Sequence, residues 1–243
     1  MNSTHIEELN KNGFTIIKRA IKNPSKKLHT LKNNQHVHSK IMWRLRSETK
    51  KYFSYYWNNN DLACSFDGYS LDDTDFNLNW HIDQNKYYKK EDYTLQGVLA
   101  LTYSASTQLL EGSHKYFEST INRCSKNNPY VWEFANIPNN DYIWKKGLSI
   151  VIPKLYAGDL LLFDSRLIHR VEPPKNAKNR TVVYVSMTPK KFIDNNILRL
   201  RQKVFANKEE TTHWCSKIIK KHYIYDLRRK IYKNVLLKAN SLV

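Results

Sequence analysis

In "LNWHIDQN" (residues 78–85), His81 and Asp83 are separated by one apolar residue. Successive side chains alternate faces along an extended chain, so these two groups project the same way while Ile82 projects the other. An imidazole and a carboxylate on one face are the start of a site for a divalent metal, and equally a coincidence. With nine His in the chain, roughly 0.4 His-x-Asp matches are expected by chance. A third ligand has to come from elsewhere.

The stretch "AGDLLLFDSRLIHRVEPPKNAKNRTVVYVSM" (157–187) supplies a candidate. It holds a turn at Gly158-Asp159, a strand of apolar residues, His169 ahead of a Pro-Pro turn, and a further strand starting at Arg180, eleven residues after His169. Two imidazoles and one carboxylate would occupy one face of an octahedral iron(II) ion, leaving three adjacent positions for a chelating cosubstrate and O2. His81, Asp83 and His169 would supply that face. Arg180 would aim an always-charged fork into the same cavity, a bidentate partner for the far end of a dicarboxylate. The 85 residues between Asp83 and His169 are enough for several strands, so the pair and the lone His can lie on neighbouring strands of a double-stranded β-helix.

The elements that must position these groups read as follows. A polar helix with Ser3 or Thr4 as N-cap stops at Gly13, and "FTIIKRA" is a strand. Residues 39–57 carry Ile41, Met42, Leu45, Tyr52, Tyr55 and Tyr56 at mostly helical spacing. From Leu62 to Met187 short apolar runs alternate with turn residues, a β-rich core. From Pro189 strand signals vanish, and Ile219, Tyr223, Leu227, Ile231 and Val235 recur every four residues in a basic helical tail. The expectation is one α+β, β-rich domain: N-terminal support over 1–60, a jelly-roll core over 61–189, and a C-terminal extension over 190–243.

A formal charge of +18 suits a polyanion partner. However, 29 Lys against 11 Arg, with 25 Asn and 16 Tyr, is also what AT-rich codons alone produce. Fourteen Lys or Arg against four acidic residues lie in 190–243. This tail reads either as a solvated helical cover or as a docking surface for a nucleic acid, an acidic protein segment or an anionic substrate. Cys64, Cys124 and Cys215 form no C-x-x-C, which argues against a disulfide framework or zinc knuckle. No apolar run approaches the ~18 residues of a membrane span, and the polar N-terminus lacks a signal-peptide core. The chain reads as a soluble intracellular protein with no membrane partner.

The pattern of H-x-D, a distant His and an Arg eleven residues on resembles the Fe(II)/2-oxoglutarate-dependent dioxygenases, in particular the phytanoyl-CoA dioxygenase-like branch. "EELNKNGFTIIKRAI" is similar to that branch's opening helix, Gly and first strand. "LQGVLALT" followed by "LLEGSHKYF" resembles its central strand and Ser-His-Lys loop, and "GDLLLFDSRLIHRV" its segment around the second His. "RQKVFANKEETTHW" is similar to viral and phage members. The likeness spans roughly residues 5–190.

The resemblance implies His81, Asp83 and His169 as iron ligands and Arg180 as partner of the far 2-oxoglutarate carboxylate. It also implies Gln96 as a contact for cosubstrate or substrate, unless Gln96 simply faces solvent. His114 would lie at the cavity mouth or hold its loop, and Trp80 and Tyr69 would wall the pocket or pack in the core. The implied reaction couples oxidation of 2-oxoglutarate by O2, giving succinate and CO2, to hydroxylation of a C–H bond. Asp83 stands where related halogenases carry a small residue, which favours hydroxylation or desaturation. Glu111 and Val98 depart from the family's usual Pro and aromatic residue, which bears on substrate class and not on the triad. The competing readings are a non-enzymatic β-barrel that binds nucleic acid or a partner protein through its tail, and a cupin-like enzyme that uses another metal and has no need for Arg180.

Overall fold

The structure, a computed structural model, describes residues 1–71, 78–84, 93–124, 134–172 and 179–217. The apolar stripe of the tail, Ile219 to Val235, lies outside the described residues.

Three helices open the chain: α1 (Ser3–Asn12), α2 (Pro24–Lys32) and α3 (Lys40–Trp57). The cap of α1 is Asn2, not Ser3 or Thr4. Asn2 holds extended backbone angles, its side chain accepts from the His5 N–H, and the His5 ring reciprocates toward the Asn2 N–H. A His thus takes the place Glu or Gln usually fills in a capping box. Helix α2, begun by Pro24 at its first turn, is absent from the sequence expectation. Helix α3 matches it, with Ser39 accepting the Met42 N–H at the cap.

The strands are β1 (Phe14–Ile17), β2 (Leu62–Cys64), β3 (Tyr69–Ser70), β4 (Leu78–Ile82), β5 (Leu95–Ala100), β6 (Thr107–Leu110), β7 (Ala135–Asn136), β8 (Ile150–Val151), β9 (Leu160–Asp164), β10 (His169–Val171) and β11 (Val182–Pro189). Helix α4 (Phe117–Cys124) lies between β6 and β7, and α5 (Asn195–Ala206) follows β11. The strands form two sheets whose paired neighbours are antiparallel. The larger has the order β1-β9-β5-β11-β2 with β3 also on β11, and the smaller the order β7-β4-β10-β6-β8. From β4 to β6 and from β9 to β11 the chain passes from one sheet to the other at every strand.

Period-two alternation sorts the side chains into three apolar layers. Leu95, Leu99, Leu160, Leu162, Val183, Val185 and Met187 face outward from the larger sheet onto Met42, Leu45 and Phe53 of α3. Val98, Ala100, Leu161, Phe163 and Val182 face inward and meet Leu109 and Val151 of the smaller sheet. Trp80, Ile82, Leu110 and Ile168 leave the smaller sheet on its far side and pack against Phe117 and Ile121 of α4. Strand β9 is covered on both faces, which is why it reads as an unbroken apolar run rather than an alternating one. Each fully buried aliphatic side chain in these layers contributes about 1.5–3 kcal/mol.

After α5 the chain turns back along the larger sheet. Phe205 joins a ring cluster with His38, Trp43 and Phe66, the Thr211 N–H donates to the Phe66 carbonyl, and Trp214 and Cys215 are completely buried. Arg201 of α5 fastens this return segment by donating to the carbonyls of Cys215 and Cys64. Among the described residues no helix is long and apolar enough to cross a membrane.

Candidate metal centre

His81 on β4 and His169 on β10 are register partners. Both project into the layer between the sheets, because their neighbours Trp80, Ile82 and Ile168 occupy the opposite face. Their ring centroids are 4.1 Å apart. Asp83, one residue past the end of β4, lies between them, with Oδ1 3.4 Å from His81 Nε2 and Oδ2 3.3 Å from His169 Nε2. One ligand atom from each of the three falls within 4.8 Å of the others. Bonds of about 2.1 Å at right angles would place neighbouring ligand atoms about 3 Å apart, and the two Asp83–His contacts stand close to that spacing.

Both imidazoles are braced in the same way. His81 Nδ1 donates to the carbonyl of Asn79 at 2.7 Å and His169 Nδ1 to that of Leu167 at 3.0 Å. With each Nδ1 committed to the main chain, Nε2 is the atom of each ring that faces Asp83 and would bind a metal once deprotonated. The strand register behind His169 is secured by Ser113, whose Oγ accepts the Ile168 N–H at 2.9 Å. Asp83 lies beyond the ladder, and its main-chain carbonyl is taken by His213 Nε2 at 3.2 Å, from the return segment. Next to it Gln84, fully buried, accepts from Ser165 Oγ.

The electrostatics suit a metal site. Burial alone would raise Asp83, but His213 and His169 nearby, with hydrogen bonds from His169 and His81, hold its carboxyl well below the usual carboxylate range. Burial, reinforced by His169, lowers His81. Burial also opposes charge on His169, yet Asp83 outweighs it and raises that imidazole. Of the two rings, the carboxylate thus favours charge on His169 over His81.

Arg180, two residues before β11, is 2% exposed. It donates from Nη1 to Ser70 Oγ at 3.0 Å and from Nε to Ser104 Oγ at 3.3 Å, while Nη2 is buried with no partner among the described residues. Its hydrogen bonds thus go to neutral hydroxyls. Burying a guanidinium without a counter-charge is costly, so this environment fits an anion that the described residues do not provide. Two residues on, Val182 belongs to the inter-sheet layer, which places Arg180 on the interior face of the same strand pair that carries Gln96.

Gln96 lies on β5 opposite Phe163 and Ser186 and donates from Nε2 to Asp83 Oδ2 at 3.0 Å. It faces the metal site and not solvent. His114 does not reach the centre: its Nε2 bonds the Asn10 carbonyl, and its ring abuts Gly13. Of its two expected placements Trp80 takes the core, in the outer layer, where it packs on Trp144 with ring centroids 5.3 Å apart. Tyr69 packs against the α3 side of the larger sheet, away from the centre. His213, Ser113 and Gln84 escape sequence reasoning because their roles are contacts with residues far along the chain.

No family model matches the chain. Ava biosynthesis cluster protein O of Aspergillus versicolor is 26% identical over 206 residues, covering 75% of this chain and 67% of that protein. The epimerase SnoN in complex with Fe3+, alpha ketoglutarate and nogalamycin RO superposes with a TM-score of 0.57 at 13% identity, over 76% of this chain and 82% of its own. EvdO2 from Micromonospora carbonacea var. aurantiaca complexed with 2-oxoglutarate gives a TM-score of 0.52 at 15% identity, over 77% and 91% of the two chains. These likenesses show a shared fold. The fold and the His-Asp-His cluster are therefore two separate observations, one on the whole chain and one on three side chains.

Proposed function

We propose that this protein is an Fe(II)- and 2-oxoglutarate-dependent oxygenase of the double-stranded β-helix fold, hydroxylating a C–H bond. The observation that carries this reading is the pairing of a His-Asp-His face with a buried guanidinium that meets no carboxylate among the described residues, on the interior of the same sandwich. A metal without 2-oxoglutarate would use the first and leave the second unexplained.

His81, Asp83 and His169 would hold the iron, and Arg180, steadied by Ser70 and Ser104, would take the far carboxylate of 2-oxoglutarate. When bound, the iron and 2-oxoglutarate supply O2 activation with release of succinate and CO2. The chain's own work is to orient and exclude. The Asn79 and Leu167 carbonyls keep both Nε2 atoms aimed at the metal, Gln96 and His213 hold Asp83, and the apolar layer of Val98, Leu109, Leu161 and Phe163 keeps bulk water from the inner side of the centre. A carboxylate ligand in place of a small residue supports hydroxylation over halogenation. A small-molecule substrate is supported by SnoN, whose complex carries nogalamycin RO, and by a relative that belongs to a biosynthesis cluster.

The test is succinate formation by anaerobically purified protein given Fe(II), 2-oxoglutarate and O2, compared with Asp83→Ala. Succinate from the wild type alone supports the reading, and equal signals from both proteins overturn it.

A further inference from the structure

We propose that Gln96 is a positioning residue that holds Asp83 to a single bond with the metal. The inference rests on the iron and 2-oxoglutarate reading and adds the question of how many positions the chain leaves open. A facial triad with a one-oxygen carboxylate fills three of six octahedral positions. Were Asp83 to chelate through both oxygens, four would be filled. The two remaining would be consumed by a two-atom cosubstrate chelate, leaving none for O2. A carboxylate between two imidazoles, with one oxygen toward each at 3.4 and 3.3 Å, has no intrinsic reason to choose.

Gln96 makes the choice. It sits on the larger sheet, across the sandwich from the smaller sheet that carries the two histidines, and is 6% exposed. Its Nε2 reaches Asp83 Oδ2 at 3.0 Å, and only a donor can face a carboxylate oxygen there. A lone pair engaged by this N–H is withdrawn from the metal, so Oδ1 is the ligand and Oδ2 is held off. The constraint needs a fixed main chain at Asp83, where β4 has ended, and His213 supplies it at 3.2 Å through the Asp83 carbonyl. Backbone and carboxylate are thus pinned from two different elements. A polar side chain in the otherwise apolar inward row of β5, Gln96, Val98 and Ala100, is accounted for by this one contact.

The experiment is an anaerobic titration of the full chain with Fe(II) and then with 2-oxoglutarate. It reads the iron affinity and the visible charge-transfer band that a chelated 2-oxo acid gives on Fe(II), for the wild type and for Gln96→Met, which keeps the length and removes the donor. The expected result is iron affinity within about threefold of wild type, with 2-oxoglutarate affinity down at least tenfold and the band lost or displaced. Unchanged 2-oxoglutarate affinity and band would overturn the proposal, as would a loss of iron affinity as large as the loss of cosubstrate. If Gln96→Met does not fold, Gln96→Leu, which likewise removes the donor and adds no charge, is read by the same criteria. A wild type that shows no band at all would sink the oxygenase reading itself, whereas a normal wild type with unaffected variants removes only the role given to Gln96.

Discussion

His169 faces His81 across the β4–β10 ladder, and each imidazole is tied to the carbonyl two residues before it in its own chain. A pair of candidate ligands on adjacent strands is set by register, and a slip of one strand by one residue would send its ring to the opposite face of the sheet and leave the other behind. The geometry of the centre is therefore a property of the hydrogen-bonded ladder before it is a property of any metal.

Removing either ring should abolish the site without unfolding the sandwich. His81→Ala or His169→Ala is expected to lower Co(II) or Fe(II) affinity at least a hundredfold in an equilibrium titration, with a circular dichroism spectrum like that of the wild type. Retention of metal by either variant would contradict the assignment.

Arg180→Lys keeps a charge but loses the fork. The expected outcome is a rise of at least tenfold in the KM for 2-oxoglutarate with metal affinity unchanged. A drop in metal affinity with normal KM would place Arg180 elsewhere in the mechanism.

The raised imidazolium of His169 gives the metal-free protein and its metal complex opposite responses to pH. In the metal-free protein the Asp83–His169 pair stabilises fully below the ordinary imidazole value of 6.5, and that stability is lost as pH rises through the higher folded value. Metal needs the neutral ring and displaces the proton, so affinity climbs over the same interval. Melting curves of apo protein and metal titrations across neutral pH should slope in opposite directions, and parallel slopes would refute the charge assignment.

Gly13→Ala should disturb the centre from a distance. Gly13 has φ +85°, and a Cβ there would lie 2.6 Å from both His114 Nδ1 and Leu167 Cδ1. Relief would push on Leu167, whose carbonyl orients His169. A loss of about 1–3 kcal/mol is expected from the positive φ and the clash, accompanied by weaker metal binding. Urea denaturation and a metal titration on the same sample check both parts.

Acid lability of the fold has a source at Asp159, opposite in sign to the His169 contribution. Its buried carboxylate takes the backbone N–H groups of Arg19 and Tyr156 and the Lys18 ammonium. Burial would raise its titration, but these donors lower it below 3.8. Its contribution is present above that value and lost as pH falls through the lower folded one. Asp159→Asn should cost about 1.5–3 kcal/mol at neutral pH and flatten the acid limb of the stability curve.

The strands that carry the ligands were legible because alternation and apolar runs survive in "LNWHI", "LQGVLA", "LLLF" and "VVYVSM". The candidate ligand set was legible because His81-x-Asp83, a distant His169 and Arg180 together matched the pattern of a known family, where the His-x-Asp pair alone would not have sufficed. Strands of two residues such as β3, β7 and β8 leave no periodicity to read, and they exist only as partners of longer ones. Helix α2, basic and short, carries its signal in Asn23-Pro24 alone. The side of the sheet that Trp80 faces could have been read from its position beside His81, since neighbours on a strand must diverge. His213 could not, because its meaning is a contact 130 residues away.

That separation bears on how the centre is made. Asp83 waits for His169 and Gln96 for its carboxylate contacts, and its carbonyl stays open to water until residue 213 has emerged from the ribosome and the return segment has docked. Contacts of such long sequence separation are formed late and slowly. A chain whose emerged part ends between residues 190 and 208 would hold all three candidate ligands yet lack the bond that steadies Asp83, so a metal bound at that stage would be held less firmly than in the closed chain.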